Sequence, residues 1–118
     1  MTDPTTLPHQ PLTRQAIALD VAHAQDLATR EPTGDVADQV RDRLRTVIRT
    51  LAGDAERYAR SLDDSRAQDI AINTIRHARS VAEDPVGDPA ANLRLLAGSA
   101  QSVARYARQA GTAAGEPS

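Results

Sequence analysis

Between Asp35 and Leu62 the sequence reads DVADQVRDRLRTVIRTLAGDAERYARSL, with Val36, Val40, Leu44, Val47, Leu51, Ala55, Tyr58 and Leu62 recurring every three or four residues. Side chains three and four apart share one side of an α-helix, whereas a strand would alternate, so the pattern predicts one long helix with a single apolar stripe. At 3.6 residues per turn the stripe covers about seven turns. The positions between are mostly Arg, Asp and Gln. A stripe this long stays in water unless an equally long element lies along it, and that requirement restricts the chain to helices packed lengthwise.

Three further stretches supply the packing partners. Leu12, Ala16, Ile17, Leu19, Val21, Ala24, Leu27 and Ala28 form a wide apolar band, with Pro11 near the first turn and Glu31-Pro32-Thr33-Gly34 closing the helix near Thr29. Thr33 or Asp35 is the expected cap of the second helix. Ser61 to Ser65 reads as a short turn holding the cap of a third helix, Arg66 to about Glu83, with Ala67, Ile70, Ala71, Thr74, Ile75, Ala78, Val81 and Ala82 at helical spacing. A turn this short makes the second and third helices antiparallel neighbours. After Asp84-Pro85-Val86-Gly87-Asp88-Pro89, a fourth helix runs from about Ala90 to Gln109, where Leu93, Leu96, Ala100, Val103, Ala107 and Ala110 match the stripe of the second helix. Gly53 predicts a slight bend or a close crossing, Gly98-Ser99-Ala100 a close approach at mid-helix, and Gly111 a C-cap. The expected fold is all-α: a four-helix up-down bundle over residues 12–110 whose long members are helices two and four. A disordered arm over 1–11, containing Pro4, Pro8, Pro11 and His9, and a disordered tail over 111–118 flank it.

At 118 residues the chain fits a single domain, and its core is thin: Leu, Ile and Val total 22, Ala alone contributes 22, and the only aromatic residues are Tyr58 and Tyr106. A buried Leu is worth about 1.5–3 kcal/mol and an Ala much less, so marginal stability as a monomer is expected, with a homodimer as one remedy. All fourteen basic residues are Arg, the pattern of a GC-rich genome, and the formal charge of −2 disfavours nucleic acid as a partner, although one basic face could still exist. Without cysteine there is no disulfide framework, thiolate nucleophile or zinc–thiolate site. No run approaches about 18 uninterrupted apolar residues and no leader pattern opens the chain, so a cytoplasmic location without membrane partners is expected.

Several groupings of polar residues invite a chemical reading. Asp20, His23 and Asp26 fall at i, i+3 and i+6, which could begin a metal site or orient a base, but one turn of one helix supplies too few ligands and a solvated polar edge is the expectation. His77 belongs with Asp69, Asn73 and Arg76 on a polar face of the third helix. Arg41, Arg45 and Arg49 stand at i, i+4 and i+8, an arginine row that could grip an acidic partner or phosphates, or be a solvated face matched by Asp38 and Asp42. Asp64-Ser65 at a helix start is similar to the phosphopantetheine-bearing pair of carrier proteins, but Arg66 replaces the usual Leu and the preceding helix is far too long; capping by the serine is expected. Glycine-rich phosphate loops, HExxH, GxSxG and the Glu-x-x-His pairs of di-metal bundles do not occur. The chain is therefore expected to be no enzyme, with no catalytic residues, metal or cofactor.

From about Val40 to Arg108 the sequence resembles a group of small, all-helical actinomycete proteins that are uncharacterised or associated with natural-product biosynthesis. The resemblance is carried by YARSLDD at Tyr58 to Asp64, IRHARSV at Ile75 to Val81, the Pro/Gly loop, and LRLLAGSAQSVARYAR at Leu93 to Arg108. It implies an all-helical accessory protein and assigns no functional residue. The leading expectation is thus a protein interaction module, with Arg41, Arg45 and Arg49 contacting a protein partner or a second copy. The alternatives are a small-molecule binder with an Ala-lined pocket reached by Tyr58 and Tyr106, and a nucleic-acid-associated regulator reading phosphates through the arginine row.

Overall fold

The computed structural model describes residues 12–113, which form four helices and no strand: α1 (Arg14–Arg30), α2 (Asp35–Arg60), α3 (Ser65–Glu83) and α4 (Pro89–Ala113). The predicted arm, with His9, and the tail from residue 114 lie outside the described residues, whereas 111–113 continue α4. Among the described residues no helix is long and apolar enough to cross a membrane.

Local chemistry sets the helix ends. Thr13 caps α1 by accepting from the Ala16 N–H at 3.0 Å. Asp64, rather than Ser65, caps α3: its carboxylate accepts from the Arg66 N–H at 3.1 Å, and Ser65 is already helical. Asp88 accepts from the Ala91 N–H at 2.9 Å, leaving Pro89 in the first turn of α4, where the missing N–H costs nothing. Neither Thr33 nor Asp35 caps α2. Gly34 does so through its backbone alone, at φ 106°, a conformation that favours glycine. Gly111 lies within α4, not at a cap.

Helices α2 and α4 pack on each other most extensively, α1 and α3 each touch both, and α1 and α3 do not touch one another. Helices α2 and α4 run parallel: Arg41 early in α2 bonds Asn92 early in α4, and Tyr58 late in α2 stacks on Tyr106 late in α4. Helix α3 runs the other way, since Arg49 meets Glu83 while Glu56, two turns on, meets Arg79. Helix α1 opposes α4, with Arg14 and Ile17 beside Ala104 and Arg108. The topology is the up-down bundle, flattened so that α2 and α4 meet across the short diagonal and α1 and α3 stay apart.

Alanine explains how the flattened diagonal can close. Among the described residues 24 apolar side chains are buried and 12 of them are Ala; α2 contributes Ala37, Ala52, Ala55 and Ala59 while α4 contributes Ala97, Ala100 and Ala104. Small side chains let helix axes approach, and the larger Val40, Leu44, Val47, Ile48, Leu93, Leu96 and Val103, all under 2% exposed, fill the remaining space. Helix α2 buries a wider band than its predicted stripe because three helices surround it: Ile48 and Ala52 join the core, whereas Val36 is 52% exposed and Leu51, Tyr58 and Leu62 are half-buried. Leu19, placed in the α1 band, is 64% exposed. The glycines do not mark close crossings. Gly53 and Gly98 are exposed, and a Cβ on either would meet nothing within 4 Å.

Candidate functional site

The arginine row of α2 is engaged within the chain itself. Arg41, 2% exposed, leaves the surface entirely. Its Nε donates to Asn92 Oδ1 at 2.7 Å, one terminal nitrogen to Asp38 at 3.2 Å, and the other to the carbonyls of Pro32 at 2.8 Å and Pro89 at 2.9 Å. One guanidinium therefore ties the α1–α2 loop to the start of α4. Its planar fork with five donors suits this, where the point charge of a lysine would not. Arg45 pairs with Asp42 at 3.3 Å, and Arg49 crosses to α3, bonding Glu83 at 3.0 Å and the Ala82 carbonyl at 3.4 Å. The row thus presents Arg49 to the outside in an ion pair, keeps the paired Arg45 largely covered, and uses its first member as an internal clamp.

The other groupings are also occupied. Asp20 faces a cation: Arg43 of α2 donates to it at 2.9–3.0 Å, pinning α1 to α2 where a metal would need another ligand. Asp26 pairs with Arg30 along α1, and His23 and His77 are exposed. Among the described residues no group of three or more His, Asp and Glu could hold a metal ion. Tyr58 and Tyr106 stack on each other with centroids 6.0 Å apart and planes 26° from parallel, and the Arg105 guanidinium lies 5.5 Å from the Tyr106 ring centre. No ligand fits between rings at that separation; the pair closes the lower end of the α2–α4 seam.

A helix without acidic residues of its own lies elsewhere in the fold, at α4. From Pro89 to Ala113 this helix carries Arg94, Arg105 and Arg108 and no carboxylate, while the acidic residues concentrate in α2 and in the loops at Glu31, Asp63, Asp64, Asp84 and Asp88. The near-neutral total conceals this segregation; charge taken helix by helix shows it. Between α3 and α4 an open groove is lined by Thr74, His77, Arg94, Leu95, Gly98, Ser99 and Ser102. Leu95 is 48% exposed at its middle, and Ile70, 55% exposed, is one turn before Thr74 on the same side of α3. Towards the α3–α4 loop the lining turns acidic, with Asp84 and Asp88 beside Pro85 and Val86.

No family model matches the chain, and neither a curated protein nor a solved structure matches it.

Proposed function

We propose that the chain is a non-enzymatic helical accessory module that docks an acidic amphipathic segment of a protein partner into the groove between α3 and α4. The observation that carries this reading is the groove itself: an open furrow in which Leu95 is exposed beside Gly98 and whose α4 wall contributes Arg94 and no carboxylate. An amphipathic helix docks through an apolar stripe and gains orientation from charge at its margins. Here Ile70 and Leu95 offer the apolar contact, and Arg94 and His77 the cationic margin. Asp84 and Asp88 at the loop end repel an acidic segment there, so the occupant lies towards Ser102. The resemblance to actinomycete proteins linked to natural-product biosynthesis suggests the process such a module serves, and a cytoplasmic setting goes with that reading.

The test is a titration of the isotopically labelled protein with a synthetic Glu/Leu amphipathic helical peptide, followed by amide shifts. Shifts confined to the α3–α4 groove, abolished in the L95E/R94E variant with an unchanged melt, support docking. Binding to duplex DNA in place of the peptide refutes it, as does a dimer in solution whose interface buries Leu95.

A further inference from the structure

We propose that the cleft where the α3–α4 loop meets α4 binds a small primary amine that carries a carbonyl or hydroxyl acceptor beside its ammonium group. The cleft holds about 160 Å³ and lies between Val81 of α3, Asp84, Val86 and Asp88 of the loop, and Asn92 and Leu95 of α4. Asn92 is 5% exposed, and its amide has one settled orientation. Arg41 Nε can only donate, so the amide atom 2.7 Å from it is Oδ1. The other end, the Nδ2 amine, has no hydrogen-bond partner among the described residues, yet no fully buried side-chain nitrogen or oxygen there lacks one. Nδ2 is therefore open to the cleft that Asn92 lines. A donor at the base of a cleft is met by water until the acceptor of a ligand takes its place.

Two carboxylates border the same space. Asp88 commits Oδ2 to the Ala91 N–H at 2.9 Å and keeps Oδ1, and the Asp84 side chain has neither a hydrogen bond nor an ion pair among the described residues. No cation lines the cleft, and Arg41, behind Asn92, is matched by Asp38 at 3.2 Å. The space thus asks for positive charge on the loop side and for an acceptor on the α4 side, with Val81, Val86 and Leu95 as apolar wall. Its volume is room for on the order of five water molecules, which suits an amine the size of one amino acid and excludes a docked helix. Leu95 also borders the groove proposed for the peptide, but the other residues do not, so the two sites are told apart residue by residue.

The test titrates the isotopically labelled full chain with leucinamide at about pH 6.5, where an α-amine is protonated. Three further compounds each lack one element: 4-methylpentanamide the amine, 3-methylbutylamine the carboxamide, and glycinamide the branched tail. Leucinamide is expected to bind at least tenfold more tightly than each and to weaken as salt rises. It should shift the amides of Val81, Val86 and Asn92 and leave Gly98 and Ser102 in place. The Asn92 side-chain amide signals are expected to move with leucinamide and 4-methylpentanamide but not with 3-methylbutylamine. The double variant D84N/D88N keeps both side-chain shapes, and Asn caps a helix as well as Asp, so it is expected to melt as the parent does. Its leucinamide affinity should fall tenfold or more, with 4-methylpentanamide unchanged. Asp84→Asn alone, where no side-chain bond is lost, is expected to show a smaller loss and serves if the double variant melts early. Equal binding of 4-methylpentanamide overturns the carboxylate assignment, equal binding of 3-methylbutylamine the role of Asn92, and equal binding of glycinamide the apolar wall. Undiminished binding by the variants, shifts mapping elsewhere, or no saturation in the millimolar range overturns the site.

Discussion

Replacing Arg41 by Ala tests whether one buried guanidinium organises the upper end of the bundle. The side chain is 3% exposed and makes four hydrogen bonds to Asn92, Asp38, Pro32 and Pro89. Truncation leaves Asn92, 5% exposed, without this donor, and strands the carbonyls of Pro32 in the α1–α2 loop and of Pro89 at the start of α4. A buried acceptor left unsatisfied costs about 1–3 kcal/mol, and breaking a buried charged network about 3–5 kcal/mol. Asp38 adds little, because its side chain is 69% exposed and returns to water. The expected loss for Arg41→Ala is therefore about 3–5 kcal/mol, against a total stability of roughly 5–15 kcal/mol for a domain of this size. Arg41→Lys retains the charge but not the fork, and is expected to lose about 2–3 kcal/mol. Urea unfolding followed by circular dichroism at 222 nm measures both, and a double cycle with Asn92→Ala isolates the shortest contact, with a coupling of about 1 kcal/mol or more expected. Arg57→Ala, a surface position on the same helix whose side chain is 70% exposed, serves as the control, expected within about 0.5 kcal/mol of the parent. If Arg41→Ala behaved like Arg57→Ala, the clamp would be refuted and Arg41 would be a solvated member of the row after all.

Three further outcomes follow from individual positions. Gly53 sits exposed inside α2 with open space where a Cβ would lie, so Gly53→Ala is expected to stabilise by about 0.5–1 kcal/mol in the same urea titration. Gly34→Ala has equal room but a φ of 106°, and is expected to destabilise by about 1–3 kcal/mol. The hydrogen bond from Arg60 and then the charge of Arg79 hold the Glu56 carboxyl below the ordinary glutamate range, against the opposing effect of partial burial. Its contribution is fully present above roughly pH 5, past the ordinary value of about 4.3, and is lost as pH falls through the lowered value. The stability gap between parent and Glu56→Gln should accordingly narrow on acidification below pH 4; a gap that widened would reverse the sign of the argument.

Much of the architecture was legible in the residue order because helical periodicity is a short-range property. Leu44, Leu93 and Val103, placed at the heart of the two long stripes, are each fully buried. The capping carboxylates of Asp64 and Asp88 accept from N–H groups two and three residues further on, so the neighbouring residues placed both helix starts to within one residue, although the expected cap of α3 was the serine. The breadth of the buried band on α2 was not legible, since it depends on how many helices surround α2. Nor was the identity of the α2 cap: Thr33 and Asp35 are good capping types, but Gly34 takes the cap position with a positive φ and Asp35 is already the first helical residue.

The candidate surfaces divide in the same way. That α4 carries arginine without any carboxylate could be counted from its sequence, and that property belongs to the helix wherever it packs. Which arginines reach solvent could not. Arg41, Arg45 and Arg49 are equivalent by spacing, yet Arg41 is enclosed by groups 9, 48 and 51 residues away, at Pro32, Pro89 and Asn92. The amino-acid order determined four amphipathic helices, their approximate ends and a thin, alanine-rich core. Tertiary structure decided that α2 and α4 lie parallel along the short diagonal and left the grooves beside α4 open, because burial and charge pairing are settled by segments distant in sequence that only the packed chain brings together.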